Sequence, residues 1–208
     1  MKNSILFVLG ILLFASCKSE TASLPILGES YSNESGEKVY HSIPDFAFVN
    51  QNGDTITHND VANKVYVVDF FFTSCPTICP VMKTQLLRFH EHFHDNKEIA
   101  ILSHSIDPYH DSVSVLHDYA ESLGIKGNQW QFLTGGYDDI YQIAEKSYLV
   151  AASKDTVQGS DSGGFIHSGA FVLIDKKRRI RGYYDGTKEE EVSKLIRDTE
   201  LLLKEKDE

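Results

Sequence analysis

Residues 65–72 read VYVVDFFF, seven β-branched or aromatic residues around a single Asp, and run straight into Thr73-Ser74-Cys75-Pro76-Thr77-Ile78-Cys79-Pro80. An apolar run of this kind, without alternation, is the signature of a strand buried on both faces. Such a strand needs covering layers on either side, which restricts the chain to a layered α/β architecture. The turn that follows sets two thiols just beyond the strand and at the start of a helix, because Pro is favoured in a helix's first turn. From there Val81, Met82, Leu86, Leu87, Phe89 and Phe93 recur at helical intervals. Two side chains four residues apart on a helical turn share a face and can converge. Unpaired N–H groups at a helix start stabilise thiolate, the form needed both for disulfide exchange and for binding a soft metal.

The remaining chain repeats strand and helix patterns around that centre. Residues 98–106 (EIAILSHSI) predict a second strand, and 111–123 a helix with Val113, Leu116, Tyr119, Ala120 and Leu123 on one face and Gly124 as its stop. Residues 129–133 predict a strand and 138–146 a helix with Asp138 near its N-cap. Upstream, 46–49 and 55–57 flank Asn52-Gly53-Asp54, a hairpin signal; downstream, 171–174 and 180–184 flank a second hairpin. Thr187 with Glu190 forms a capping-box pattern that opens a last helix, its buried side carried by Val192, Leu195, Ile196 and Leu202. Early β–α–β alternation implies parallel strands, and the late hairpin adds antiparallel ones. The expectation is a three-layer α/β fold with a mixed central sheet, helices on both faces and an N-terminal β-hairpin. That is the layout of a thioredoxin-like domain, although periodicity alone does not separate it from other α/β folds.

Ahead of this domain, Lys2 precedes the apolar run ILFVLGILLF at 5–14, and Ala15-Ser16-Cys17 follows it. A positive start, a short apolar stretch and small residues read as a secretory signal, and a Cys directly after the small pair resembles a bacterial lipobox. Residues 1–16 are thus expected to be a lipoprotein signal peptide and Cys17 the lipidated N-terminus. Residues 17–40, rich in Ser, Glu and Gly, form the expected flexible tether. Residues 41–205 would be the folded domain. The location implied is a bacterial cell envelope, outside the cytoplasm and anchored to a membrane by lipid. The apolar run is about half the length that spans a bilayer and nothing later is apolar for long enough, so a polytopic membrane protein is excluded. With 30 acidic against 20 basic residues and a net charge of −10, the surface repels phosphate backbones, which argues against a nucleic-acid partner.

With Cys17 assigned to anchoring, Cys75 and Cys79 remain, in a compartment that permits disulfides. Three readings stay open on residue type alone: a structural disulfide, a redox pair, or a metal site. Redox pairs more often have two intervening residues, whereas Pro76, Thr77 and Ile78 make three. A closed zinc site generally takes four ligands. Copper(I) prefers soft thiolates and accepts low coordination, so one further ligand would complete it. Of nine His, His90, His92 and His94 decorate the helix after the pair. His41, His58, His104, His110 and His117 lack an evident constellation, and His104 and His110 stay open as ligands. His167, in Gly163-Gly164-Phe165-Ile166-His167-Ser168-Gly169 before a core strand, lies in a loop that can approach the end of the sheet where α/β folds gather function.

Four ordered blocks resemble the Sco/SenC family of thioredoxin-like copper chaperones. They are Phe72 to Pro80 with its C-P-x-x-C-P-like segment, Ser105-Ile106-Asp107-Pro108 with Asp111, Trp130-Gln131-Phe132-Leu133-Thr134-Gly135, and His167-Ser168 entering residues 171–175. The resemblance spans residues 43–203. It implies copper, as Cu(I) and with an added ligand Cu(II), bound by Cys75, Cys79 and His167. It also implies delivery to a copper-accepting protein such as a cytochrome c oxidase subunit, or reduction of the cysteines that receive the metal. In that alternative Cys75, expected to be the more exposed thiol, attacks and Cys79 resolves the mixed disulfide. This chain carries Thr77 where the family commonly has an acidic residue and Ile166 where it commonly has Asp, which alters the charge around the ion.

Overall fold

A computed structural model describes residues 23–150 and 169–205. Cys17, Ile166 and His167 lie outside the described residues.

The chain runs through β1 (Ser30–Ser32), β2 (Lys38–Tyr40), β3 (Ala47–Asn50), β4 (Thr55–Thr57), β5 (Val65–Phe71), α1 (Cys79–His92), β6 (Ile99–Ser105), α2 (Val113–Ser122), β7 (Trp130–Thr134), α3 (Tyr137–Gln142), β8 (Ala170–Ile174), β9 (Ile180–Asp185) and α4 (Glu189–Lys204). Seven strands form one mixed sheet in the order β4-β3-β7-β6-β5-β8-β9. β5, β6 and β7 are parallel neighbours, while the β3–β4 and β8–β9 hairpins add antiparallel strands on either side. This is a thioredoxin-like α/β fold, as the strand and helix patterns predict.

Every residue of β5 and of β6 is buried, which explains why neither shows period-two alternation. Strand geometry still divides their side chains between two faces. On one face Asp69 and Phe71 meet Ser103, Trp130 and Phe132, with Met82 and Leu86 of α1 and Tyr119 of α2 packed over them. Arg88 of α1 reaches the Glu189 carbonyl and Ser193 of α4, so α4 lies beside α1. On the other face Phe70, His104, Phe48 and Tyr148 stack, with ring centroids 4.9–6.0 Å apart. Tyr148 follows a single π-helical turn, Ile143–Ser147, that extends α3.

Two local expectations differ from the structure. α4 begins at Glu189 with Lys188 as N-cap and no side-chain capping bond. Thr187 instead donates to Asp185 at 2.5 Å, closing the turn out of β9. The helix start is stabilised by three Glu residues in its first turn, whose charges complement the helix dipole.

The larger difference concerns the segment read as a flexible tether. From Ser23 onward the described chain is fastened to the domain. β1 and β2 pair as a separate two-stranded antiparallel sheet, and Leu27 makes a bridge to Ile180 at the start of β9. The Arg181 guanidinium, 2% exposed, donates to the Leu24 carbonyl at 2.6 Å and the Pro25 carbonyl at 3.1 Å. It also holds Asp175 at 3.0 Å and Glu205 at 2.7 Å. The segment has too few apolar residues to announce burial. What fastens it to the domain, the Arg181 side chain and the bridge to Ile180, lies more than 150 positions away.

Candidate dithiol site

The two thiols meet through a loop. α1 starts at Cys79, so Cys75 sits in the connection between β5 and the helix, and the shared helical face expected from their spacing does not form. A turn closed by the Cys75 N–H on the Phe72 carbonyl, at 3.2 Å, swings the loop back over the strand end. The helix N-cap, Ile78, offers no side-chain acceptor. The Cys75 sulfur lies beside this helix start, 3.7 Å from the Thr77 hydroxyl.

Both cysteines are free and equally buried, at 7% and 8% exposure, so Cys75 is not the more exposed of the pair. Proton affinity separates them. Burial pushes the Cys75 thiol up, but hydrogen bonding by the Cys79 thiol, the Thr77 and Cys79 backbone and the Thr77 hydroxyl outweighs it and holds it below the ordinary cysteine value. Cys79 is driven well above that value, first by burial, then by donating to Cys75 and by the nearby Cys75 and Asp69 charges. Cys75 thus gives up its proton more readily than Cys79. That division suits a donor pair that binds a soft cation or attacks a disulfide.

Behind Cys79 a small crevice is lined by Asp69, Met82, Lys83, Ser103 and Tyr119. Asp69 is 3% exposed and hydrogen-bonded to the Ser103 hydroxyl, which itself accepts from the Trp130 indole at 2.9 Å. Burial raises its carboxyl to about 7. The single Asp in the VYVVDFFF run was the available signal for this group, and spacing alone gave it no role. A second carboxylate, Asp111, is fully buried and ties the β6–α2 loop to Thr73, just ahead of Cys75.

The histidines separate clearly. His104 is fully buried among Phe48, Phe70 and Tyr148, with neither ring nitrogen hydrogen-bonded. Burial lowers it to about 3. It is a core residue on the sheet face opposite Asp69. His110 binds Asp111 at 2.9 Å, His92 pairs with Glu200 at 2.9 Å, and His41 meets the Ser147 carbonyl at 2.7 Å. His58, His94 and His117 lie near Asp45, Asp95 and Glu121, and the His90 ring leans on Trp130. Among the described residues no third His, Cys, Asp or Glu joins the thiols to make a metal-holding group. Val172 lies opposite Val68, so the chain re-enters the described sheet at Ala170, three residues past His167, at the end of β5 from which the cysteine loop departs. Among the described residues no helix is long and apolar enough to cross a membrane.

The SCO1/SenC family model matches residues 34–203. The SCO1 protein homolog of Bacillus subtilis is 28% identical over 160 residues, which covers 76% of this chain and 81% of the relative. A SCO1/SenC family lipoprotein from Bacillus anthracis superposes with a TM-score of 0.69 at 27% identity, over 78% of this chain and 95% of its own. BsSco, described as carrying a disulfide switch and as a member of the Sco family of cytochrome c oxidase assembly proteins, superposes with a TM-score of 0.67. It is 26% identical, over 80% of this chain and 95% of its own.

Proposed function

This chain belongs to the SCO1/SenC family, and from that premise we propose that it carries copper outside the cytoplasm, holding the ion on Cys75, Cys79 and His167 and passing it to a copper-accepting protein such as a cytochrome c oxidase subunit. The observation that carries the proposal is the pair of free thiols at the helix start, one of them held below the ordinary cysteine value. Two soft sulfurs select copper(I) over harder cations, and an imidazole completes a three-coordinate site. Support for His167 comes from the register that returns the chain to the sheet at the cysteine end. The ion is cargo. An acceptor thiolate adds to copper as a Cys75 or Cys79 bond to it breaks, so no free ion is released. On the same reading residues 1–16 are a signal peptide and Cys17 carries the lipid. The Bacillus anthracis family lipoprotein supports this.

Titrating the reduced protein with copper(I) against a chromophoric chelator tests the ligand set. The parent is expected to take up one equivalent. His167→Ala is expected to bind at least about tenfold more weakly, since even changes behind a ligand cost that much. Equal affinity in the two proteins would remove His167 from the site.

The unequal thiols also favour a second reading, a thiol–disulfide oxidoreductase acting on the cysteines of a copper-receiving partner. There Cys75 attacks and Cys79, held protonated, supplies the thiol that resolves the mixed disulfide. The disulfide switch described for BsSco supports it. Cys79→Ser should then accumulate a covalent complex with a partner through Cys75, visible on a non-reducing gel. If Cys79→Ser traps none while copper uptake is stoichiometric, delivery alone remains.

A further inference from the structure

The loop that bears Cys75 is gripped from outside by one carboxylate. Asp111 is fully buried, and each of its oxygens has two donors. Oδ2 accepts the Thr73 backbone N–H at 3.0 Å and the Ser105 hydroxyl at 2.6 Å. Oδ1 accepts the Thr73 hydroxyl at 2.5 Å and faces His110 Nδ1 at 2.9 Å. Ser105 is the last residue of β6, so the carboxylate is braced against the sheet on one side. On the other it holds backbone and side chain of a single residue, two positions ahead of Cys75. A buried carboxylate costs several kcal/mol in lost hydration unless its hydrogen bonds are nearly complete. This one is complete, and half of its bonds go to Thr73.

We propose that Asp111 is a positioning residue for the dithiol: by gripping Thr73 through both its N–H and its hydroxyl, it fixes how the loop presents the Cys75 sulfur to the start of α1. The inference rests on the reading of Cys75 and Cys79 as a working pair, and deepens it. The arrangement in which the Cys75 sulfur rests at the start of α1, 3.7 Å from the Thr77 hydroxyl, belongs to the dithiol form. Loosening Thr73 therefore weakens the reduced state and favours the disulfide. In a glutathione buffer that oxidation joins the two protein sulfurs, passes two electrons and two protons to glutathione disulfide, and releases two molecules of glutathione.

The test is the equilibrium constant for that exchange, measured on the full chain with glutathione and, separately, copper(I) affinity. Thr73→Val and Asp111→Ala are each expected to shift the equilibrium toward the disulfide by about tenfold, equivalent to about 30 mV. The double variant is expected to shift it no further than either single one. Thr73→Ser keeps both donors and should match the parent. Asp111→Asn keeps an acceptor for the Thr73 N–H and Ser105 while removing the charge, and should also stay near the parent. Thr73→Val at the parental value overturns the proposal, even if Asp111→Ala fails to fold. So does Asp111→Asn shifting as far as Ala, which would assign the effect to charge. A parent that forms no Cys75–Cys79 disulfide and takes up no copper would end the dithiol reading itself, an outcome distinct from unshifted variants of a working parent.

Discussion

Replacing Arg181 by Ala is expected to lower the stability of the fold by about 3 kcal/mol, the cost of removing the buried member of an ion-pair network together with the donor to two backbone carbonyls. Asp175 is 5% exposed and takes Arg181 at 3.0 Å and Arg179 at 2.8 Å. Its other oxygen accepts the N–H groups of Lys177 and Arg179, each at 2.9 Å, which shapes the β8–β9 turn. Loss of Arg181 leaves that carboxylate with Arg179 and the two N–H groups but without its buried partner, and leaves the carbonyls of Leu24 and Pro25 without their donor. The effect is therefore shared between the turn and the N-terminal segment. Urea denaturation should show the loss in midpoint, and limited proteolysis should open new cleavage sites between residues 23 and 40. Glu205, the more exposed partner, is expected to matter less: Glu205→Gln should cost under about 1 kcal/mol, as exposed ion pairs do. If Arg181→Ala denatures within about 1 kcal/mol of the parent, the guanidinium is not what fastens the segment. Arg181→Lys should recover only part of the loss, because an ammonium cannot span carboxylates and two carbonyls as the planar fork does.

The same contrast explains how much of this fold was legible beforehand. Strands such as Val65–Phe71 and Ile99–Ser105 declare themselves, because burial on both faces writes continuous apolar runs. The β3–β4 turn does so too: Asn50 Oδ1 accepts the N–H groups of Asn52 and Asp54 at 2.9 Å, and Gly53 takes φ +83°. These are local devices with local signatures. Within residues 23–40 the β1–β2 turn uses the same device, Asn33 Oδ1 accepting the N–H groups of Ser35 and Glu37 with Gly36 at φ +81°, but what fastens the segment to the domain, Arg181 and the bridge to Ile180, lies on a distant strand. Thr187 and Glu190 match a capping box in spacing, but the carboxylate of Asp185 captures the Thr187 hydroxyl first. At the site, Cys75 and Cys79 were evident as a pair. Their convergence through a loop and their opposite proton affinities depend on where individual N–H groups point, and residue spacing does not encode that. Asp69 and Asp111 were visible as residues, yet burial and bonding partners are what give each a role.

The buried pair Asp69 and His104, on opposite faces of the sheet, should give stability profiles of opposite slope when each is removed in turn. The folded state holds His104 at about 3 against an ordinary value of 6.5. Between those values the unfolded chain carries a proton that the folded chain lacks, so this residue's contribution falls as pH falls, by about 1.4 kcal/mol per unit. Asp69 is held at about 7 against an ordinary 3.8. Across that window the folded chain carries the extra proton, and its contribution falls as pH rises, at the same slope. From about pH 4 to 6.5 the two slopes cancel in the parent. Asp69→Asn, which can keep the bond from Ser103, should leave the His104 limb alone. Relative to the parent, stability then drops steadily toward acid and gains about 4 kcal/mol at pH 8. His104→Phe fits the aromatic stack with Phe48 and Phe70 and should do the reverse, gaining most near pH 3 and little above pH 7. Denaturation midpoints at half-unit intervals, plotted as variant minus parent, remove contributions from surface carboxylates such as Asp185 that act equally in both. Two difference curves of the same sign, or flat ones, would mean that these groups titrate in the folded chain as they do in water. In that case the carboxyl beside Cys79 would be ionised throughout the neutral range, and its charge would add to burial and to Cys75 in raising the proton affinity of the thiol next to it.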